Sequence, residues 1–213
     1  MLDYQKDFIQ YALDCGVLKF GQFQLKSGRN SPYFFNTGLF NTGAKLAQLG
    51  EFYCKALLQS AIEVDILYGP AYKGIPLVSA ASIAYARLTG KDIPFVFNRK
   101  EAKDHGEGGL LVGAALQGKA LILDDVITAG TSVRESVKII NSSGATPCGV
   151  LIALDRQERG QNQQSAIEDV TKNFNIPVIS IISLDNIIKF LEQQQTYNKQ
   201  LDIIRRYQQN YAI

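Results

Sequence analysis

The stretch Leu121-Ile122-Leu123-Asp124-Asp125-Val126-Ile127-Thr128-Ala129-Gly130-Thr131-Ser132 decides the fold. An apolar strand-like run ends in two adjacent carboxylates. A short loop of small and hydroxylated residues follows, then a helical pattern over residues 131–142. In a parallel α/β sheet the carboxyl end of a strand is where ligands bind. The loop offers backbone N–H groups and Thr and Ser hydroxyls at a helix N-terminus, a setting for a phosphate monoester. Asp124 and Asp125 stand just before it, placed to accept hydrogen bonds from sugar hydroxyls. One short segment thus has groups for both ends of a ribose 5-phosphate.

A strand ending in Asp-Asp also fits the second motif of a P-loop nucleotide-binding protein. That reading needs a G-x-x-x-x-G-K-[ST] loop elsewhere. Gly118-Lys119-Ala120 and Gly90-Lys91-Asp92 both lack the hydroxyl residue after the lysine. The plainer alternative is a strand with a solvated acidic end. The segment resembles the phosphoribosyl pyrophosphate (PRPP) motif of type I phosphoribosyltransferases, which points to a fold and a donor but names no acceptor base.

Around this segment the chain alternates strands and helices. Helical spacing marks residues 3–15, a stretch from about residue 44 through Leu57, and residues 75–88, 185–193 and 198–209. Strands are expected at Asp65–Tyr68, Phe95–Phe97, Val150–Leu154 and Val178–Ile182. This rhythm predicts an α/β fold, a Rossmann-like parallel sheet with helices on both faces. Residues 18–40 lack the rhythm and read as an appended element of short extended pieces.

The chain has 213 residues, enough for one α/β domain, and no repeat or linker is visible. A net charge of +2 argues against bulk binding to nucleic acid or anionic membrane. Cys15, Cys54 and Cys148 are far apart, with neither zinc spacing nor a disulfide framework. With Asp3 and Asp7 near the start and no membrane-length apolar run, a cytoplasmic protein is expected.

Three further segments carry chemistry. Arg99 to Gly109 holds the only His, three cations and three glycines, with no apolar residue larger than Ala. It reads either as a solvated loop or as a mobile lid closing over a polyanion such as pyrophosphate. Gly69-Pro70-Ala71-Tyr72-Lys73-Gly74 follows a strand. It reads as a strand-to-helix turn, with Lys73 available for a second phosphate. Phe34 and Phe35, near Lys26, are either minor core or a platform for a flat anionic heterocycle. Arg156, at the end of a strand, either pairs with Asp155 on the surface or meets a carboxylate or carbonyl of the acceptor.

Together these pieces resemble bacterial orotate phosphoribosyltransferases over nearly the whole chain, with no departure at a position that family uses. The carriers are Leu25-Lys26-Ser27-Gly28, Ser31 to Asn36, Gly69 to Gly74, Phe97 to Gly108, Leu123 to Thr131 and Asp155 to Gly160. The resemblance implies transfer of ribose 5-phosphate from PRPP to orotate in UMP synthesis by a Mg²⁺-dependent homodimer. It implies that Asp124, Asp125, Val126, Ile127, Thr128, Ala129, Gly130, Thr131 and Ser132 hold the ribose 5-phosphate. Tyr72, Lys73, Arg99 and Lys100 would hold pyrophosphate. Lys103 and His105 would reach the neighbouring subunit's site from a catalytic loop of about residues 99–109. Phe34, Phe35, Thr128 and Arg156 would contact orotate, with Lys26 between orotate and PRPP. Mg²⁺ would be held mainly through PRPP, with Asp124 and Asp125 as indirect ligands. About residues 1–40 would form a hood over the acceptor site of a single domain. Two rival readings are a regulator that keeps the fold as a PRPP sensor, and a purine phosphoribosyltransferase. No DNA-binding extension or basic stripe supports the former.

Overall fold

Strict alternation along the central strands builds two cores. A computed structural model describes residues 1–25, 28–103, 109–128, 130–159 and 164–212, with the side chains of Ala102, Lys103 and Gln195 also outside the description. The strands are β1 (Leu18–Gln24), β2 (Asn30–Phe35), β3 (Ile66–Gly69), β4 (Phe95–Lys103), β5 (Gly109–Gly113), β6 (Lys119–Leu123), β7 (Thr146–Asp155) and β8 (Val178–Ser183). The helices are α1 (Asp3–Asp14), α2 (Gly43–Ser60), α3 (Gly74–Thr89), α4 (Thr131–Ser142), α5 (Ala166–Phe174), α6 (Leu184–Glu192) and α7 (Asn198–Tyr211).

On one face, Leu67, Leu121, Leu123, Leu151 and Ala153 pack with Phe8, Phe52, Tyr53, Val78, Ile187 and Ile204 of α1, α2, α3, α6 and α7. On the other, Ile66, Tyr68, Ala120, Ile122, Val150 and Ile152 pack with Val133, Val137, Ile140 and Val170 of α4 and α5. Period-two alternation in strands buried on both sides gives this division.

The main sheet has the order β5-β4-β3-β6-β7-β8. β3 pairs in parallel with both β4 and β6, so the chain winds outward in opposite directions from the β3–β6 pair. That pair is the topological switch point, where the loops after adjacent strands diverge and leave a crevice.

β5 runs antiparallel to β4. The expected parallel sheet therefore carries one antiparallel edge strand. β4 also continues past Phe97 to Lys103, pairing with Gly109 across a register shift. The segment expected as a loop, residues 99–109, therefore begins within β4, with Arg99, Lys100, Glu101 and Lys103 on that strand. Residues 104–108, including His105, lie outside the described residues.

β1 and β2 form a separate antiparallel pair, which is the appended element. Within residues 1–40, expected as a hood, this pair stands apart from α1. α1 belongs to the main body: Phe8, Ile9 and Ala12 are fully buried, and Gln5 Nε2 donates to the Ile181 carbonyl. Phe8 packs at 5.0 Å from Phe52 and 6.4 Å from Phe35, joining β2 to the core.

Candidate active site

Two loops meet across the crevice, one after β3 and one after β6. The first is built for close approach. A Cβ on Gly69 would lie 2.5 Å from the Gly74 carbonyl oxygen, and one on Gly74 would lie 2.5 Å from Cδ of Pro70. Only glycine fits at both ends of this turn. Asn98 ties the turn to β4, its Oδ1 accepting from the Tyr68 hydroxyl and the Ala71 N–H, both at 3.0 Å. Tyr72 is left 68% exposed.

The second loop begins with the acid pair. Asp124 and Asp125 are 8% and 7% exposed, deep burial for carboxylates. Asp124 Oδ1 accepts the Asp125 N–H at 2.8 Å, and Asp125 Oδ1 accepts the Val126 N–H at 2.9 Å. The fully buried Tyr53 donates its hydroxyl to the Asp124 carbonyl at 2.7 Å. Burial lifts the Asp124 carboxyl to about 6, against hydrogen bonds from the Asp125 N–H and Ser132. Asp125 Oδ2 accepts from Thr37 Oγ1 at 3.0 Å and from the Lys73 ammonium.

Val126 and Ile127 are half-buried and pack against opposite cores. Their side chains anchor the loop that carries the Thr128, Thr131 and Ser132 hydroxyls, of which Ser132 already meets Asp124. Gly130 has φ +67°, the left-handed conformation that favours glycine, and it opens α4 without a side-chain cap. α3, the other helix opening onto the crevice, also lacks one. By contrast α5 and α6 begin with reciprocal caps, Ser165 with Glu168 and Ser183 with Asn186. The site-facing end of α4 keeps its helix-terminal N–H groups available for an anion.

Beside this crevice a cavity of about 340 Å³ is lined by Tyr72, Ile75, Phe97, Asn98, Arg99, Lys100 and Glu101. Lys100 Nζ lies 5.4 Å from the Tyr72 ring centroid, and Arg99 Nη1 donates to the Gly109 carbonyl at 3.2 Å. Three of the four expected pyrophosphate residues, Tyr72, Arg99 and Lys100, line this cavity. Lys26, His105 and Ala129 lie outside the described residues, as does the Lys103 side chain.

On the acceptor side, strand alternation separates the two expected aromatics. Phe34 is 37% exposed and stacks on Phe23 at 5.4 Å, whereas Phe35 turns to Phe8 in the core. They do not form a common platform. Arg156 pairs with Glu158 rather than Asp155, at 2.7 Å. Its Nη2 donates to Ser31 Oγ at 3.1 Å, and its guanidinium carbon lies 4.4 Å from the Tyr33 ring centroid.

No family model matches the chain. The orotate phosphoribosyltransferase of Methylococcus capsulatus is 64% identical over 90% of each chain. That of Hahella chejuensis is 57% identical over 100% of this chain and 99% of its own. The chain belongs to the orotate phosphoribosyltransferase family. The crystal structure of orotate phosphoribosyltransferase from Francisella tularensis superposes with a TM-score of 0.89 and 42% identity, covering 97% of this chain and 100% of that one. The mixed α/β fold with its central parallel sheet is thus the type I phosphoribosyltransferase fold.

Sequence reasoning missed the residues that hold this orotate phosphoribosyltransferase site in shape. Thr37, Tyr53, Asn98, Ser31 and Glu158 all touch expected site residues. Ser31, Asn98 and Glu158 lay inside stretches that carried the family resemblance. The others give no local signal.

Proposed function

We propose that this crevice transfers ribose 5-phosphate from PRPP to N1 of orotate, releasing pyrophosphate and forming orotidine 5′-monophosphate in pyrimidine synthesis. Family membership supports the reaction. The observation supporting the location is the Lys73–Asp125 contact above the uncapped α4, which gathers cation, carboxylate and phosphate cradle at the switch point.

Breaking the bond from C1 to pyrophosphate builds positive charge on the ribose and negative charge on the leaving group. The buried acid pair favours the cationic ring and orients the ribose hydroxyls. The 5-phosphate rests on the loop from Val126 to Ser132. Tyr72, Lys73, Arg99 and Lys100 receive pyrophosphate, and Lys103 and His105 add charge from a neighbouring subunit in a homodimer. Phe34, Thr128 and Arg156 contact orotate, with Lys26 between the two substrates. Catalysis is then positioning and electrostatics.

Mg²⁺, when bound, supplies charge to the pyrophosphate oxygens. Among the described residues no cluster of three His, Cys, Asp or Glu side chains stands ready for a metal. The donor set is one Asp pair, which suits Mg²⁺ held mainly through substrate oxygens, with Asp124 and Asp125 as indirect ligands.

A cytoplasmic setting is supported by three free cysteines. No described helix is long and apolar enough to cross a membrane. The homodimer reading is supported by an apolar groove between α2 and α3, lined by Leu46, Ala47, Pro76, Ala80, Ile83 and Ala84.

The test offers PRPP and Mg²⁺ with orotate, hypoxanthine or adenine. Orotate is expected to be consumed. Consumption of a purine with orotate untouched overturns the acceptor assignment.

A further inference from the structure

The carboxylate of Glu158 organises the acceptor side of the crevice. Its Oε1 accepts from Arg156 Nε at 2.9 Å, from Arg156 Nη2 at 2.7 Å and from the Tyr33 hydroxyl at 3.2 Å. Its Oε2 accepts from Arg29 Nη1 at 3.3 Å. Arg29 in turn donates to the Arg159 carbonyl and lies 4.6 Å from the Tyr211 ring centroid. One carboxylate thus links β2, the turn after β7 and, through Arg29, α7.

The turn that presents Arg156 and Glu158 is fixed from its other side. Gln157 adopts φ +51°, and its N–H donates to Asp155 Oδ1 at 2.8 Å. Its side-chain amide holds Asp185 twice, accepting from the Asp185 N–H at 2.9 Å and donating to Oδ2 at 3.2 Å. Gln208 of α7 donates to the other Asp185 oxygen at 2.7 Å. Neighbouring residues therefore point to different anchors, and the turn has little freedom to rotate.

Charge and valence leave one edge for a ligand. Arg29 and Arg156 carry two positive charges and Glu158 one negative, so the trio keeps a net positive charge. Arg156 uses Nε and Nη2 on Glu158 and Ser31, while Nη1 makes no hydrogen bond among the described residues. A planar guanidinium held along one edge presents its remaining donors in a fixed direction.

We propose that Glu158 is a positioning residue for the acceptor. It orients the Arg156 guanidinium, reserves its Nη1 donors for the anionic group of the base, and ties that orientation to β2 and α7 through Tyr33 and Arg29. This rests on the reading of Arg156 as an orotate contact.

The experiment compares the full-length enzyme with Arg156→Ala, Glu158→Gln and the double variant, measuring KM for orotate and for PRPP separately. Gln keeps the shape of Glu158 but removes its charge. Arg156→Ala is expected to raise the orotate KM about a hundredfold and Glu158→Gln about tenfold, with the PRPP KM within about twofold of wild type. The double variant should match Arg156→Ala, because the group being positioned is gone. Three results overturn the positioning role while leaving Arg156 in place: an unchanged orotate KM in Glu158→Gln, equal rises in both KM values, or multiplying defects in the double variant. An unchanged orotate KM in Arg156→Ala overturns the acceptor contact itself and the inference with it. Should Glu158→Gln fail to fold, Tyr33→Phe removes one Glu158 partner without touching Arg156. It is expected to raise the orotate KM about threefold, and an unchanged value again overturns the proposal.

Discussion

The ammonium of Lys73 donates to Oδ2 of Asp125, joining the loop after β3 to the loop after β6 across the switch point. The Lys73 side chain is 64% exposed while the Asp125 side chain is 10% exposed, so the pair has one wet partner and one dry one. An ion pair of that kind contributes little to folding. Lys73→Ala should leave stability within about 1 kcal/mol of wild type. The same change should lower kcat/KM for PRPP by about 10²–10³-fold if the ammonium stabilises the leaving pyrophosphate. Denaturant titration and initial rates check both halves; a large stability loss with intact kinetics reverses the assignment.

The cradle at α4 has an electrostatic sign. Thr131→Glu places a carboxylate at an uncapped helix N-terminus, where negative charge is welcome in the empty protein. The helix should hold, while PRPP affinity should fall by roughly 2–5 kcal/mol through repulsion and a lost donor. Calorimetric titration with PRPP measures this. Affinity retained within a factor of two would put the 5-phosphate elsewhere.

Asp124 predicts a trade between stability and activity. Burial raises its carboxyl from 3.8 to about 6, so the folded state binds a proton more readily than the unfolded chain in between. Stability contributed by this group is therefore greatest at low pH, falls as pH rises through that window, and stays low above it. Asp124→Asn should be more stable than wild type by roughly 1–3 kcal/mol at pH 7.5, with the advantage shrinking towards pH 4. Its activity should drop. Urea unfolding at both pH values decides; a variant less stable at pH 7.5 contradicts the argument.

The proposed shared-site homodimer makes a counting prediction. Lys103→Ala and Asp125→Asn homodimers should each be nearly inactive. After subunit exchange about half the dimers are mixed. Each mixed dimer gathers both lesions into one site and leaves the other whole, so activity should recover to about a quarter of wild type. No recovery after demonstrated exchange means that the loop serves its own subunit.

What the sequence made legible was local. α4 spans Thr131–Ser142, as its spacing predicts, because Val133, Val137 and Ile140 mark one buried face after a loop of small residues. α5 was legible but unread: Ser165 and Glu168 form the capping box that announces it. β5 escaped because Leu110-Leu111-Val112 is a short apolar run beside a glycine-rich charged segment. The restraints on the site are of another kind. Thr37 reaches Asp125 across 88 residues of sequence, and Arg29 reaches Glu158 across 129. No spacing rule encodes such pairings, which exist only once two layers have packed. Phe34 and Phe35 show the converse error: adjacency suggested partnership, while the pleat of β2 sends them to opposite sides.

The placement of Val126 and Ile127, one against each core, turns the proposed phosphate loop into a rivet through the sheet. Its grip is then a gauge of the whole domain. A cavity made at Leu191 behind one face, or at Ile140 behind the other, would loosen the rivet long before the chain unfolds. Affinity for inorganic phosphate would report such damage from either side. Selection for substrate binding therefore also guards packing far from the substrate.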